Sequence, residues 1–192
     1  QDGHSFYVLV FPSANTTWVY DAATQAWHER AGFVDGNFTR HRGNCQMAFN
    51  NKVVIGDFAN GNIYAFDLDD FSDNGSIQKW LRSWRALPTG QNNLRRTTQH
   101  AMQMDCESGV GINLGQGEDP QIMLRWSDDG GHTWSNEHWA SMGKIGQYYK
   151  RVIWRRLGMT VKLRDRVYEA SGTDPVKIAI MGAELILSPT NA

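Results

Sequence analysis

Ser127-Asp128-Asp129-Gly130-Gly131-His132-Thr133-Trp134 satisfies the eight-residue pattern Ser-x-Asp-x-Gly-x-Thr-Trp, the Asp-box. Each defining residue has a role in a turn. Ser127 and Asp129 carry short oxygen-bearing side chains that bond nearby backbone N–H groups, and Gly130 and Gly131 allow positive φ. Thr133 and Trp134 are expected to re-enter the sheet, Trp134 as a large apolar anchor. Upstream, Ile122, Leu124 and Trp126 alternate along a strand that runs straight into this turn. The stretch therefore predicts a hairpin in an all-β protein; by itself it predicts no catalysis.

The same alternation spreads outward from the turn. Met102, Met104 and Cys106 share one face of a strand, and Val152 and Trp154 sit between the basic pairs Lys150-Arg151 and Arg155-Arg156. Val176, Ile178 and Ile180, followed by Leu185 and Leu187, continue the pattern to the end. No amphipathic helix interrupts these strands, so residues 95–192 read as a β-sandwich-like module carrying the Asp-box hairpin. Residues 1–88 read as β-propeller-like blades, part of a larger propeller. The expected strands there are Tyr7 to Phe11, Thr16 to Tyr20, Ala26 to Arg30, Asn44 to Phe49, Lys52 to Gly56 and Asn62 to Asp67. Asn50-Asn51 and Asn60-Gly61 suit tight turns with positive φ. Trp27 and Tyr64 fall about 37 residues apart, close to the ~40 to 50 of propeller blades. Ile77 to Leu87 fits either a helix or a strand and is read as a strand, and Pro88 to Asn93 is the expected domain boundary.

The charge balance excludes little but directs attention. Nineteen basic against twenty acidic residues leave a net charge of −1, which does not mark nucleic acid as the main partner. Locally, Asp57 to Asp73 holds five Asp and no basic residue, whereas Lys150 to Arg166 holds seven basic residues and only Asp165. Lys150, Arg151, Arg155, Arg156, Arg164 and Arg166 are the expected oligomer or portal interface, with an acidic surface as partner and DNA as the rival. No apolar run approaches the ~20 residues that cross a bilayer, so no membrane partner is expected. The chain opens on Gln1 without a methionine and reads as a fragment or processed piece. Cys45 and Cys106 read as buried free thiols.

Catalysis and metal binding find few residues to work with. Arg40, Arg42, Tyr64, Asp67, Glu107 and Glu118 are scattered, without the paired carboxylates of a glycosidase. His132 and His138 lack a third ligand, and Asp67, Asp69, Asp70 and Asp73 read as a solvated acidic face. Neither an enzyme nor a cofactor is expected. A carbohydrate-binding β-module, or an Asp-box glycosidase-like protein of the kind found among sialidases and other propellers, is the alternative.

Taken together, Gly115-Gln116-Gly117, Asp119 to Trp134, Trp139 to Gly146, Arg151 to Gly158, Arg164 to Glu169, Thr173 to Val176 and Gly182-Ala183 resemble, in order, the packaged-DNA stabilisation proteins of short-tailed bacteriophages. Gly3 to Tyr7, Trp18 to Arg30, Gly56 to Phe58, Gly61, Ile63 and Tyr64 extend the resemblance upstream. The resemblance implies a tail accessory factor or tail hub, made in the bacterial cytoplasm and built into the virion tail. It implies attachment below the portal that closes the channel, a homo-oligomeric ring, hexameric in that family, and contacts with portal or portal-adaptor proteins. Tail needle, plug or tailspike proteins, and genomic DNA in the channel, complete the implied partners.

Overall fold

The computed structural model describes residues 3–85, 96–161 and 166–190, and among them there is no helix. The chain divides into two compact units, residues 1–78 and 79–192.

In the first unit, β1 (Phe6–Phe11), β2 (Thr16–Asp21) and β3 (Ala26–Glu29) form an antiparallel meander. A second meander joins β6 (Gly43–Phe49), β7 (Lys52–Asp57) and β8 (Ile63–Ala65), and between the two lies the hairpin β4 (Ala31–Val34) and β5 (Asn37–Arg40). Asn50 and Asn51 turn the β6–β7 hairpin at φ of 47° and 60°, the left-handed conformation that asparagine tolerates. Asp35-Gly36, at 50° and 80°, does the same for β4–β5. That hairpin was not anticipated, although Asp-Gly between apolar residues is its usual signature. The β7–β8 connection departs from expectation in the opposite sense: Asn60-Gly61 does not turn by positive φ. Asp57 organises it instead, accepting the Ala59 N–H at 2.7 Å and the Asn60 amide at 2.8 Å. Asp21 holds the β2–β3 turn identically, with the Ala23 N–H at 2.9 Å and the Thr24 hydroxyl at 2.9 Å. The residue after each Asp then donates its N–H back to the first strand's approach, Ala22 to Ser5 and Phe58 to Arg42. The two meanders thus repeat one device at a step of about 36 residues.

The second unit is a two-sheet sandwich. One sheet runs β12-β11-β14-β9, from β12 (His138–Ser141) through β11 (Gln121–Ser127) and β14 (Val167–Gly172) to β9 (Trp80–Arg85). The other runs β13-β10-β15, with β13 (Val152–Arg155), β10 (Thr97–Cys106) and β15 (Ile180–Pro189). Alternation decides which side chains meet between them. Met102 and Met104 of β10, Val152 and Trp154 of β13, Ile122 and Leu124 of β11, and Tyr168 and Ala170 of β14 are buried in one cluster. Each such large side chain contributes roughly 1.5 to 3 kcal/mol by leaving water. Trp154 ties the sheets by donating its indole N–H to the His138 carbonyl at 2.8 Å, and the Tyr168 hydroxyl donates to Gln99 of β10.

Three expectations shift. Trp80 to Arg85 is a strand, but it pairs with β14 along Gly172↔Trp80 to Val167↔Arg85, so it belongs to the sandwich. The units therefore divide between Gln78 and Lys79, ahead of the expected break at Pro88 to Asn93, which lies outside the described residues. Val176 is buried and Ile178 packs on the core, but both precede the strand, which begins only at Ile180. Cys45 is exposed and Cys106 half-buried, where burial pushes its thiol up.

Candidate functional site

The turn after β11 is a closed hydrogen-bond system built by two side chains. The Ser127 hydroxyl is buried; it donates to Asp129 at 2.6 Å and accepts the Gly131 N–H at 2.8 Å. The Asp129 carboxylate accepts the N–H groups of His132 at 2.9 Å and Thr133 at 2.8 Å and the Thr133 hydroxyl at 2.6 Å. Gly130 and Gly131 take φ of 76° and 103°, which any side chain would resist. The Ser127 hydroxyl, ahead of the Thr133 groups, holds the Asp129 carboxyl well below the usual carboxylate range.

The chain does not re-enter the sheet at Thr133 and Trp134, as the pattern suggests. β12 begins at His138, and in the irregular stretch 134–137 Ser135 runs beside β11, its N–H donating to the Trp126 carbonyl at 2.8 Å and its hydroxyl accepting the Trp126 N–H at 3.0 Å. Trp134 is only half-buried. Its ring lies under the Arg125 guanidinium at 4.7 Å, and Arg125 in turn meets Glu169 at 2.5 Å, all on the side of the sheet away from the core. Trp126 supplies the anchoring instead, stacking on His138 at 4.8 Å between ring centres and packing against the core.

The basic segment does not form one surface. Val152 and Trp154 point into the core, so β13 holds Lys150 and Arg151 at one end and Arg155 and Arg156 at the other, roughly 13 Å apart along a four-residue rise. All four are exposed. Arg166 is 2% exposed and so cannot serve an interface: its guanidinium grips Asp128 through bonds of 2.6 and 2.7 Å and donates to the Leu157 carbonyl at 2.7 Å. Bridging Asp128 of the turn to the Leu157 and Met159 carbonyls, the latter 3.3 Å away, it is the strut that fixes the turn to the β13–β14 connection. Arg164 lies outside the described residues.

The acidic stretch is likewise reduced. Asp57 is consumed by its own turn, and Arg42 lies 3.7 Å from Asp57 and 3.0 Å from Asp73. Exposed acid remains at Asp67, Asp69 and Asp70, around Leu68. Asp67 accepts the Asp69 N–H, and Asp70 accepts the Ser72 N–H and hydroxyl, which hold its carboxyl low. The residues weighed for glycosidase chemistry have structural partners: Arg40 stacks on Phe58, Asn62 donates to the Tyr64 hydroxyl, Glu107 meets Lys177 and Glu118 meets Lys144. His41, in a hollow of about 230 Å³, is held below its ordinary value by burial and by Arg30. Among the described residues no three His, Cys, Asp or Glu are placed to hold a metal ion.

Residues 79–187 match the family described as Bacteriophage P22 Gp10, beta-sandwich. The chain belongs to this family. The match begins at Lys79, where the second compact unit begins, and spans more than half of the sequence. This makes the chain a structural protein of P22-like phages and agrees with the sandwich of its second unit. No curated protein sequence matches the chain significantly. Of the basic residues singled out in the sequence, Lys150, Arg151, Arg155 and Arg156 stay at the surface and Arg166 turns inward. The loops that precede Lys150 went unnoticed, although Ile145, Tyr148 and Tyr149 are visible as large apolar residues in a glycine-rich stretch.

Proposed function

We propose that the protein is a tail accessory factor or tail hub: it attaches below the portal, helps to close the channel and keeps packaged DNA in place. The supporting observation is the family match over residues 79–187, joined to the ordered motifs from Gly115 to Gly182 that resemble packaged-DNA stabilisation proteins. Within this reading the turn Ser127–Trp134 is an Asp-box used as a structural clasp, since its polar groups bond one another and Arg166 clamps its Asp128. The first unit is a pair of propeller-like blades, supported by the Asp21 and Asp57 turns at a step of about 36 residues. The working form is a homo-oligomeric ring against a portal or portal adaptor, with needle, plug or tailspike proteins below and DNA within reach of Arg155 and Arg156. Such a protein acts by burying surface, and rings close through unlike faces of one chain.

Phage lacking the protein provides the test. Particles should package DNA and then lose it, so that nuclease digests the genome of purified particles. Full retention of nuclease-resistant DNA in its absence would contradict the reading.

A further inference from the structure

The end of the sandwich that carries Lys150 is built from two interlocked loops, residues 107–119 and 142–150. Glycines make the interlock possible. A Cβ on Gly111 would stand 2.6 Å from the Glu118 carbonyl oxygen, and one on Gly109 would stand 2.8 Å from the Tyr148 ring. Gly109 donates to the Met142 carbonyl at 3.1 Å, Gly146 donates to Gly109 at 3.2 Å, and the Ser108 hydroxyl donates to Tyr148 at 3.0 Å. Lys144 and Glu118 close the pair from outside at 2.8 Å. These loops are therefore held in place, yet they expose Leu114 (84%), Tyr148 (75%) and Tyr149 (81%) beside Ile145. Tyrosine has only two side-chain torsions and costs little entropy to bury, which is why it concentrates at protein contacts. Lys150 and Arg151 follow directly and give the rim a positive edge.

Among the described residues, a second surface has the complementary composition. Asp67-Leu68-Asp69-Asp70 presents three exposed carboxylates around Leu68, itself 59% exposed, and turn hydrogen bonds keep the backbone in place. Both surfaces are exposed in the single chain. We propose that the rim Tyr148-Tyr149-Lys150-Arg151 of one copy receives the loop Asp67–Asp70 of a second copy, as a head-to-tail contact. Leu68 meets the tyrosines, while Lys150 and Arg151 face the three Asp and set the register. The contact rests on the oligomeric form proposed above and specifies its two faces.

Sedimentation velocity of the full chain over a range of concentrations tests it. Wild type should self-associate, and association should weaken as salt rises. The double variants Lys150→Glu/Arg151→Glu and Asp69→Lys/Asp70→Lys should each sediment as monomers, and an equal mixture of the two should associate again because reversed faces then meet. Tyr148→Ser/Tyr149→Ser, which leaves every charge in place, should also abolish association. A wild type that stays monomeric would overturn the contact, as would reversed variants that associate like wild type. Association that survives both reversals but is lost in Met181→Lys/Ile186→Lys, on β15, would move the contact to the sheet edge and overturn it equally. Failure here leaves the role in the virion untouched, because incorporation into particles is read separately.

Discussion

Residues 79–190 close their interior around Met102, Met104, Ile122, Leu124, Val152, Trp154 and Tyr168, whereas the first unit buries only Val19 and Ile55 among its described large apolar residues. In place of an aliphatic core the first unit has Arg30, its guanidinium 4.6 Å from the Phe6 ring and 5.4 Å from Phe66, with His41 stacked on Phe66 at 5.7 Å. Aliphatic burial scales with area and tolerates small displacements, while cation–π and Asp-turn contacts depend on orientation and are worth about 0.5 to 2 kcal/mol each. The sandwich thus carries its own stability, whereas the first unit relies on a few directional contacts. Heating should therefore melt the first unit before the second.

The second unit is most sensitive at its polar strut. Arg166→Ala leaves Asp128 without its partner and two carbonyls without their donor, and should cost roughly 3 to 5 kcal/mol, lowering the second melting transition by calorimetry. An unchanged second transition would show that the turn does not need the strut. Leu124→Ala removes a fully buried side chain and should cost roughly 2 to 5 kcal/mol in the same transition, with the first left in place. In the first unit, Arg30→Ala should lower only the earlier transition, by roughly 1 to 2 kcal/mol, as two stacked contacts are lost. Trp134→Ala is expected to be mild, roughly 0.5 to 1 kcal/mol, because the indole packs on Arg125 outside the core. A loss as large as that of Leu124→Ala would return Trp134 to the role of an anchor.

Acid offers the finest discrimination. Burial opposes ionisation of Asp21, but the bonds from Ala23, Thr24 and His4 outweigh it and bring its carboxyl down to about 2 from 3.8. A depressed carboxyl stabilises the fold above its unfolded value and loses that contribution as pH falls. The first unit should thus weaken between about pH 4 and pH 2, and Asp21→Asn should flatten the decline over that window. An undiminished decline in Asp21→Asn would assign the acid sensitivity elsewhere.

Much of this was legible in the sequence because strands announce themselves by period two. Met102 and Met104, Ile122 and Leu124, and Val152 and Trp154 all fall on the buried face that alternation assigns them. Partner choice was less legible. Trp80–Arg85 alternates equally well as the last strand of one unit or the edge strand of the next, and only its pairing with β14 decides. Charge was the least legible, since a linear run of seven basic residues looks like one patch. A strand projects neighbours to opposite faces and its two ends to opposite ends of the sheet, so Arg151 and Arg155 separate while Arg166 turns inward to Asp128. Ser127 and Asp129 conveyed the hydrogen bonds of their turn, but not the length of the loop after it, which runs on to β12 at His138.

This chain is a structural protein of a phage tail. Immunogold labelling of purified virions, with quantitative mass spectrometry of the same particles, tests it directly. The prediction is label at the tail vertex and a fixed copy number per particle; absence of the protein from intact virions would contradict the claim.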